Sequence, residues 1–201
     1  MIKNIVFDIG KVILHWDIFN LYDKVFKTRE ESEKFIKDID FYEWNLSMDS
    51  GKPFAQAIKE KQAQFPHYSK EIALFNERWL ETIPYTYDEP LEVLRNLIKN
   101  NYPVYAITNF SEEKFEVFKK HYNFHNTFNG IIVSGSEKLL KPQPEIYQLL
   151  CDRYKLKPEE SVFIDDSKPN TDGAATLGFK TVHFKYPDLL RPQLQALGVN
   201  I

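Results

Sequence analysis

Five short apolar segments recur along the chain and predict the strands of a sheet. They occupy residues 3–9, 102–108, 128–134, 161–166 and 179–184. Each is a nearly continuous apolar run rich in β-branched residues, which is typical of strands buried on both faces of a parallel sheet. Helical spacing of apolar positions appears at 88–100, 111–121, 143–154 and 170–177. This alternation predicts an α/β fold with a doubly wound, Rossmann-like parallel sheet.

Residues 18–82 interrupt the alternation of strands and helices. Several segments in this stretch have helical apolar spacing, and none has a convincing strand pattern. A helical block of 65 residues is much longer than the crossover that joins two parallel strands, which needs about a dozen residues. We therefore predict a core formed by 1–17 and 83–201, with a helical cap of 18–82 inserted into it.

The composition narrows the class of protein. A chain of 201 residues is long enough for one such core with a smaller insert. The net charge is −3 and no long basic run occurs, so we expect no nucleic-acid partner. No stretch approaches the roughly 18 apolar residues that span a bilayer. We expect no membrane partner either, and a monomer or weak dimer.

The N-terminus and the cysteine content bear on the compartment. Asp8 interrupts the apolar start of the chain, and no small-residue cleavage site follows it, so we expect no signal peptide. Cys151 is the single cysteine, which excludes an internal disulfide and fits a reducing compartment. Both features favour a cytoplasmic protein.

Polar side chains occur at four places in the sequence where the carboxyl ends of the predicted strands would form a site. They are Asp8 in FDIG, Thr108 and Asn109 in AITNF, Lys141 in KLLKPQPEIY, and Asp165 and Asp166 in FIDDSKPN. Open α/β sheets bind ligands outside the carboxyl ends of their strands. Each group alone has a structural explanation, as a turn residue, a helix cap or a solvated loop residue. Their shared position in strand order indicates a functional site.

The adjacent carboxylates of Asp165 and Asp166 are the most specific indication of chemistry in the sequence. They follow apolar strand residues at the rim of a hydrophobic core. With Asp8 nearby, three carboxylates would repel one another unless a cation joined them. Ligand sets made only of oxygen favour Mg²⁺, which keeps several waters and accepts phosphate. The sequence therefore predicts a magnesium site.

Together these motifs resemble those of the haloacid dehalogenase-like hydrolase superfamily, over essentially the whole chain. The helical insert is similar to the type C1 cap of its subfamily I. The resemblance implies that Asp8 is a nucleophile that takes up the phosphoryl group as an aspartyl phosphate. It also implies that Mg²⁺ is held by Asp8, the backbone carbonyl of Gly10 and Asp166, with Asp165 helping directly or through water.

The resemblance assigns roles to the remaining motif residues as well. Thr108 and the Asn109 amide would hold phosphate oxygens. Lys141 would neutralise Asp8 and the charge that develops during transfer.

Gly10 departs from the pattern of most phosphatases in this superfamily, which carry a second aspartate there as general acid and base. The opening FDIGKVI is similar to the FDLGNV of bacterial α-glucose-1-phosphatase-like members, with Lys11 in place of their asparagine. One alternative is a substrate whose leaving group needs little help from an acid, such as an anomeric sugar phosphate. The other is a proton supplied by a different residue in contact with the substrate; the candidates are His15, Asp17 and Asp49.

Three functions are compatible with these residues. The favoured one is a Mg²⁺-dependent phosphatase acting on a small organic phosphate, with sugar phosphates as the expected class. The second is a 2-haloacid dehalogenase, in which Asp8 displaces halide and Gly10 is no handicap. That reaction needs no metal, and dehalogenases of the family have lost the paired carboxylates that Asp165 and Asp166 retain. The third is a non-catalytic module that binds phosphate or a protein, which only Gly10 supports.

Overall fold

The computed structural model describes all 201 residues, and the five predicted segments form one parallel sheet. The strands are β1 (Asn4–Phe7), β2 (Val104–Thr108), β3 (Gly130–Val133), β4 (Ser161–Asp165) and β5 (Lys180–His183). Their order across the sheet is β3-β2-β1-β4-β5, and every neighbouring pair is parallel. The strand order reverses at β1, so the carboxyl ends of β1, β2 and β4 lie side by side. The predicted doubly wound α/β fold is confirmed.

Residues 18–82 contain helices and no strand. The helices are α1 (Phe19–Tyr22), α2 (Arg29–Asp38), α3 (Phe41–Asp49), α4 (Phe54–Gln64) and α5 (Ser69–Glu77), with 3₁₀ turns at Pro66–Tyr68 and Trp79–Thr82. The Thr28 hydroxyl caps α2 by accepting a hydrogen bond from the Glu31 N–H, which satisfies one of the free donors at a helix start. We refer to residues 18–82 as the insert.

Six further helices cover the sheet. They are α6 (Asp88–Lys99), α7 (Glu112–His121), α8 (Ser134–Glu137), α9 (Pro144–Tyr154), α10 (Lys168–Thr176) and α11 (Leu190–Ala196), with 3₁₀ turns at Phe124–Thr127, Pro158–Glu160 and Pro187–Leu189. The four helical segments expected from apolar spacing correspond to α6, α7, α9 and α10. The pattern did not reveal α8, which has four residues, or α11, which contains Pro192. A proline is tolerated in the first turn of a helix, so Pro192 does not end α11.

Alternate residues of β1 serve the two faces of the sheet. Ile5 and Phe7 pack with α6 and α11 on one face, whereas Val6 packs with α9 and α10 on the other. This alternation follows from the two-residue period of a strand. Both faces are therefore buried, which explains why the strand sequences are continuously apolar.

A third apolar cluster joins the insert to the core. Phe41 and Phe75 of the insert belong to the same cluster as Ile9 and Phe110 of the core. The Phe41 and Phe75 ring centroids are 4.9 Å apart, and those of Trp79 and Phe110 are 5.5 Å apart. Ile9 and Phe110 follow β1 and β2, so the insert packs over the carboxyl ends of these strands.

The environment of Cys151 and the nature of the helices bear on the expectations drawn from composition. Cys151 is a buried free thiol on α9. None of the helices combines the length and the apolar composition that crossing a membrane would require.

Candidate active site

Asp8 is held by the sheet at the end of β1. Its N–H donates to the Ile164 carbonyl of β4 at 2.8 Å, which continues the pairing of the two strands by one residue. The Asp8 Oδ1 accepts a hydrogen bond from the Ile9 N–H at 2.7 Å. These contacts fix both the main chain and the carboxylate of Asp8 at the edge of the sheet.

The loop after Asp8 folds back tightly and leaves the Gly10 carbonyl free. Lys11 has φ +59°, a left-handed conformation that costs a non-glycine residue about 1–3 kcal/mol. The hydrogen bonds of the loop are accepted by the carbonyls of Ile9 and Leu14. Since the Gly10 carbonyl accepts none of them, it is available to a ligand. A Cβ at position 10 would meet no atom within 4 Å, so there is room for the side chain that the sequence lacks.

Lys141 joins the carboxylates of two strand ends. Its Nζ lies 3.0 Å from the Asp8 Oδ1 and 2.7 Å from the Asp165 Oδ2, and it donates to the Ile107 carbonyl at 2.9 Å. Burial lowers the pKa of Lys141, but the Asp165 and Asp8 carboxylates more than offset this and raise it overall. The side chain therefore carries a buried positive charge next to Asp8.

The Asn109 side chain positions Lys141. Its Oδ1 accepts the Lys141 N–H at 2.9 Å, and its Nδ2 donates to the Lys141 carbonyl at 3.1 Å. The Asn109 side-chain amide thus both accepts a hydrogen bond from the main chain of Lys141 and donates one to it. The backbone N–H of Asn109 forms no hydrogen bond within the chain, so this is the group of Asn109 that is free to contact a phosphate oxygen.

Thr108 ends β2 with an unsatisfied hydroxyl. Its Oγ1 is the one buried side-chain polar atom in the chain that has no hydrogen-bond partner. Buried polar atoms almost always find partners, because an unpaired one costs free energy. A ligand oxygen could supply that partner.

The Asp165 carboxylate forms its hydrogen bonds and its ion pair with other groups of the protein. Its Oδ1 accepts hydrogen bonds from the Ser167 N–H at 2.8 Å and the Asn170 Nδ2 at 3.0 Å, while its Oδ2 pairs with Lys141. The side chain is fully buried. Asp165 therefore braces Lys141, and direct metal ligation would compete with these bonds.

The three carboxylates form an incompletely neutralised cluster. One oxygen each from Asp8, Asp165 and Asp166 lie within 4.8 Å of one another. Burial raises the pKa of Asp8 well above its usual range; Lys141 opposes this shift, and the charges of Asp165 and Asp166 add to it. Burial and the Asp165 charge likewise raise the pKa of Asp166. One lysine does not balance three carboxylates, so these residues fit a divalent cation, and their oxygen donors suit Mg²⁺.

A cavity of about 210 Å³ opens in front of Asp8. The core contributes charged and polar groups; they include Asp8, Gly10, Lys11, Asn109, Ser111, Lys114, Lys141, Asp166 and Asn170. The insert contributes Asn45, Asp49, Phe54 and Trp79. The core wall is therefore mostly polar, with Leu14, Trp16 and Phe110 as its apolar members, and the insert wall combines two aromatic rings with one carboxyl and one amide group.

Two of the three candidates for the missing acid lie outside this cavity. The His15 Nδ1 is 2.8 Å from the Tyr87 hydroxyl, and its ring stacks on Tyr85 with centroids 4.4 Å apart. The Asp17 Oδ1 accepts the Phe19 N–H at 3.0 Å. Both residues line an adjoining open groove. Each already has a structural partner there.

Asp49 is the candidate that lines the cavity with Asp8. It is the last residue of α3, and its Oδ2 accepts a hydrogen bond from the Asn45 Nδ2 at 2.8 Å. Burial raises the pKa of Asp49 to about 7, against the lowering effects of the Ser111 N–H, the Asn45 amide and the Lys141 charge. Its carboxyl group is therefore partly protonated near neutral pH.

Lys114 is a cavity residue that the sequence motifs did not reveal. It is buried on α7, and its Nζ donates to the carbonyl and the Oδ1 of Asn76 at 2.9 and 2.6 Å. Burial lowers its pKa. A signal was present in the sequence, because Lys114 is four residues before Phe118 on α7. Residues four apart share a helix face, which places this lysine on an apolar one.

The family model for haloacid dehalogenase-like hydrolases matches residues 2–178. The chain belongs to this family. The match spans both the motif residues of the core and the insert. The superfamily suggested by the sequence motifs is therefore confirmed, and the protein is a hydrolase of the haloacid dehalogenase-like type.

Two curated relatives carry out different reactions. The chain is 29% identical to (S)-2-haloacid dehalogenase 4A of Burkholderia cepacia over 96 residues, which is 48% of this chain and 42% of that enzyme. It is 25% identical to glyceraldehyde 3-phosphate phosphatase of Pyrococcus furiosus over 148 residues, 65% of this chain and 62% of that enzyme. The chain spans less than two thirds of either relative. These relatives do not choose between the two reactions.

A solved structure shows the same fold. It is a haloacid dehalogenase-family enzyme from Bacteroides thetaiotaomicron in complex with magnesium and inorganic phosphate. The TM-score is 0.70 at 24% identity, and the superposition covers 95% of this chain and 100% of that one. The likeness extends over the insert as well as the sheet.

Proposed function

We propose that this hydrolase is a Mg²⁺-dependent phosphatase that cleaves small organic phosphates, with sugar phosphates as the expected class. The observation that carries the proposal is the carboxylate cluster of Asp8, Asp165 and Asp166 around Lys141. A reaction that needs no metal gives no reason to keep three carboxylates at one rim. The Bacteroides enzyme of the same fold, which binds magnesium and inorganic phosphate, supports the proposal.

Three groups would hold the metal ion. They are the Asp8 carboxylate, the free Gly10 carbonyl and Asp166. Asp165 would act through Lys141 or through a water, since its oxygens already have partners. Bound Mg²⁺ would neutralise phosphoryl oxygens and favour the ionised form of Asp8.

Asp8, Lys141 and the residues at the end of β2 would carry out phosphoryl transfer. The Asp8 carboxylate attacks phosphorus, and the bond from phosphorus to the ester oxygen breaks, which gives an aspartyl phosphate. The Lys141 ammonium, the Thr108 hydroxyl and the Asn109 N–H stabilise the oxygens of the group in transfer. Water then attacks phosphorus and releases phosphate, and Asp8 is regenerated as a carboxylate.

The insert would serve as a C1 cap with the bounds 18–82. Four of its side chains line the cavity that contains Asp8, and two of them are the rings of Phe54 and Trp79. A cover of this kind excludes water and selects substrates by shape. The cavity of about 210 Å³ suits a small phosphate ester.

Dehalogenation is the second candidate, because the Burkholderia relative is a dehalogenase. In that reaction Asp8 would displace halide from carbon, and neither metal nor a proton donor would be needed. The carboxylate cluster argues against it. The third reading, a non-catalytic module, predicts binding without turnover.

A substrate panel tests the proposal. Phosphorylated metabolites and 2-chloropropionate are assayed with Mg²⁺ and with EDTA, and phosphate or halide release is measured. We expect phosphate release that EDTA abolishes and Mg²⁺ restores. Halide release in EDTA would establish the dehalogenase instead, and no turnover of any compound would favour the binding module.

A further inference from the structure

Gly10 leaves the proposed phosphatase without a side chain to protonate the leaving alcohol, and the insert wall supplies a carboxyl group in the same cavity. We infer that Asp49 is the general acid and base of the reaction, in place of the group that position 10 lacks. The inference rests on the proposed function. It assigns a catalytic role to the insert, which would otherwise only cover the site.

Hydrogen bonds hold Asp49 at the cavity. Its main-chain carbonyl accepts the Ser134 hydroxyl at 2.5 Å, which ties the end of α3 to the residue after β3. The Asn45 amide, one turn earlier on α3, donates to its carboxylate. These two bonds fix both the main chain and the carboxyl group of Asp49 at the wall of the cavity, and a general acid must hold such a fixed position.

A close approach between two backbone segments further fixes the position of Asp49. Gly51 has φ +102°, and a Cβ there would lie 2.9 Å from the Gly135 carbonyl oxygen. Only glycine fits both the left-handed conformation and the short distance. The chain directly after Asp49 is therefore packed against α8 of the core.

The electrostatic surroundings suit a group that both gives and takes a proton. Burial raises the pKa of Asp49 to about 7, and an acid–base catalyst works best when its pKa is near the operating pH. The charged groups that line the same cavity are Lys11, Lys114, Lys141, Asp8 and Asp166. Of these, Lys141 lowers the pKa of Asp49, and burial outweighs it.

The two half-reactions balance with Asp49 as the only proton carrier. In the first, an Asp8 oxygen bonds to phosphorus, the ester bond breaks, and the ester oxygen takes its electron pair and the Asp49 proton, so the alcohol leaves. In the second, a water oxygen bonds to phosphorus and gives a proton to the Asp49 carboxylate. The acyl phosphate bond then breaks, its electron pair returns to Asp8, and phosphate leaves.

The test compares wild type and Asp49→Asn on phosphate monoesters of graded leaving-group basicity. With Mg²⁺ present, kcat/KM is measured for p-nitrophenyl phosphate, phenyl phosphate and glycerol phosphate. We expect Asp49→Asn to lose roughly 10²–10⁴-fold on glycerol phosphate, the range of general acid catalysis. The loss on p-nitrophenyl phosphate should be small, because p-nitrophenolate leaves without a proton.

Matched variants separate a catalytic role from a structural one. Asp40→Asn changes an exposed aspartate just before the other end of α3, and it should affect no ester. An equal loss on all esters in Asp49→Asn, or no loss, would overturn the inference. The same leaving-group dependence in His15→Gln or Asp17→Asn, with none in Asp49→Asn, would also overturn it.

A second variant restores a carboxyl group elsewhere. Position 10 has room for a side chain, so Gly10→Asp in the Asp49→Asn background should recover glycerol phosphate hydrolysis by up to about 10²-fold. Recovery confined to the poor leaving groups supports proton donation as the lost function. If the wild-type protein hydrolyses no ester, p-nitrophenyl phosphate included, the proposed function itself is wrong and the inference falls with it.

Discussion

The core wall and the insert wall of the cavity hold their polar groups in different ways. On the core wall, Asp8 and Lys141 are buried and paired, and Asp165 behind them pairs with Lys141 from the end of the adjacent strand. On the insert wall, Asp49 stands at a helix end beside the rings of Phe54 and Trp79. The core wall thus concentrates charge at the strand ends, whereas the insert wall combines two aromatic rings with one carboxyl and one amide group.

This difference indicates that the core wall and the insert wall have different roles. Charges that must stabilise phosphoryl transfer need fixed positions, because electrostatic catalysis depends on preorganised groups. Contacts that select a substrate need shape, which aromatic rings provide. Since the insert reaches the core through a shared apolar cluster, we expect its wall to depend on packing in the insert, and the core wall to depend on ion pairing.

The largest effect is expected at the core wall, from Asp8→Asn. The change removes the nucleophile and leaves Lys141 paired with Asp165. We expect kcat for p-nitrophenyl phosphate to fall by at least about 10⁴-fold, as when other covalent catalysts lose their nucleophile. The assay is phosphate release with Mg²⁺, with Asp40→Asn as the control. Turnover close to that of the wild type would show that Asp8 forms no covalent intermediate.

Phe75→Ala tests whether the insert wall depends on its aromatic packing. The Phe75 ring lies 4.9, 5.5 and 5.6 Å from the rings of Phe41, Trp44 and Phe54. We expect the free energy of unfolding to fall by about 3–5 kcal/mol, as for other buried phenylalanines. Tyr186→Ala, at a residue that is 62% exposed, should change it by less than about 0.5 kcal/mol.

The same unfolding curves show whether the two walls fold together. All three tryptophans contribute to the cluster that joins insert and core, so their fluorescence reports on it, while far-ultraviolet circular dichroism reports on all helices. The shared cluster predicts one coincident transition. Fluorescence that changes before circular dichroism would mean that the insert unfolds separately.

Asp166→Asn tests the metal site without relying on turnover. Mg²⁺ at 100 times its Kd should stabilise the wild-type protein by about 2.7 kcal/mol, since it binds only the folded state. The variant should lose most of this gain. Asp172→Asn is the control, because Asp172 pairs with Lys168 on the surface of α10. Equal stabilisation of Asp166→Asn by Mg²⁺ would place the metal elsewhere.

The smallest effect is a pH dependence at the insert wall. The pKa of Asp49 is about 7 in the folded protein and about 3.9 when unfolded. Between these values the unfolded chain releases the proton and the folded protein keeps it, so folded stability falls as pH rises. In Mg²⁺-free buffer, the Tm of Asp49→Asn relative to wild type should therefore be higher at pH 8 than at pH 5. A difference that does not change with pH would contradict the raised pKa.

The sheet and most of the core wall followed from the sequence. Apolar runs marked the strands, and the rule that parallel strands present their carboxyl ends at one edge brought Asp8, Thr108, Lys141 and the acid pair together. The resemblance then suggested roles for them. Local sequence patterns are enough to find these residues, because each one directly follows an apolar segment or lies in a recognisable motif.

The partners of individual side chains came from the tertiary structure alone. The sequence offered Asn109 as a phosphate ligand, but its side-chain amide binds the main chain of Lys141, 32 residues away. His15, Asp17 and Asp49 were equal candidates for a proton donor. Only the packing of the insert places Asp49 in the cavity with Asp8 and leaves the other two in the adjoining groove.

The physical reason lies in the range of the interactions. Strand and helix patterns reflect neighbours a few positions apart, so the sequence by itself determined the α/β sheet, the helical nature of the insert and the residues at the strand ends. The cavity depends on contacts such as that between Ser134 and Asp49, which are 85 positions apart. Such contacts form only when the insert packs on the core, so the tertiary structure decided which of the three candidate residues lines the cavity with Asp8.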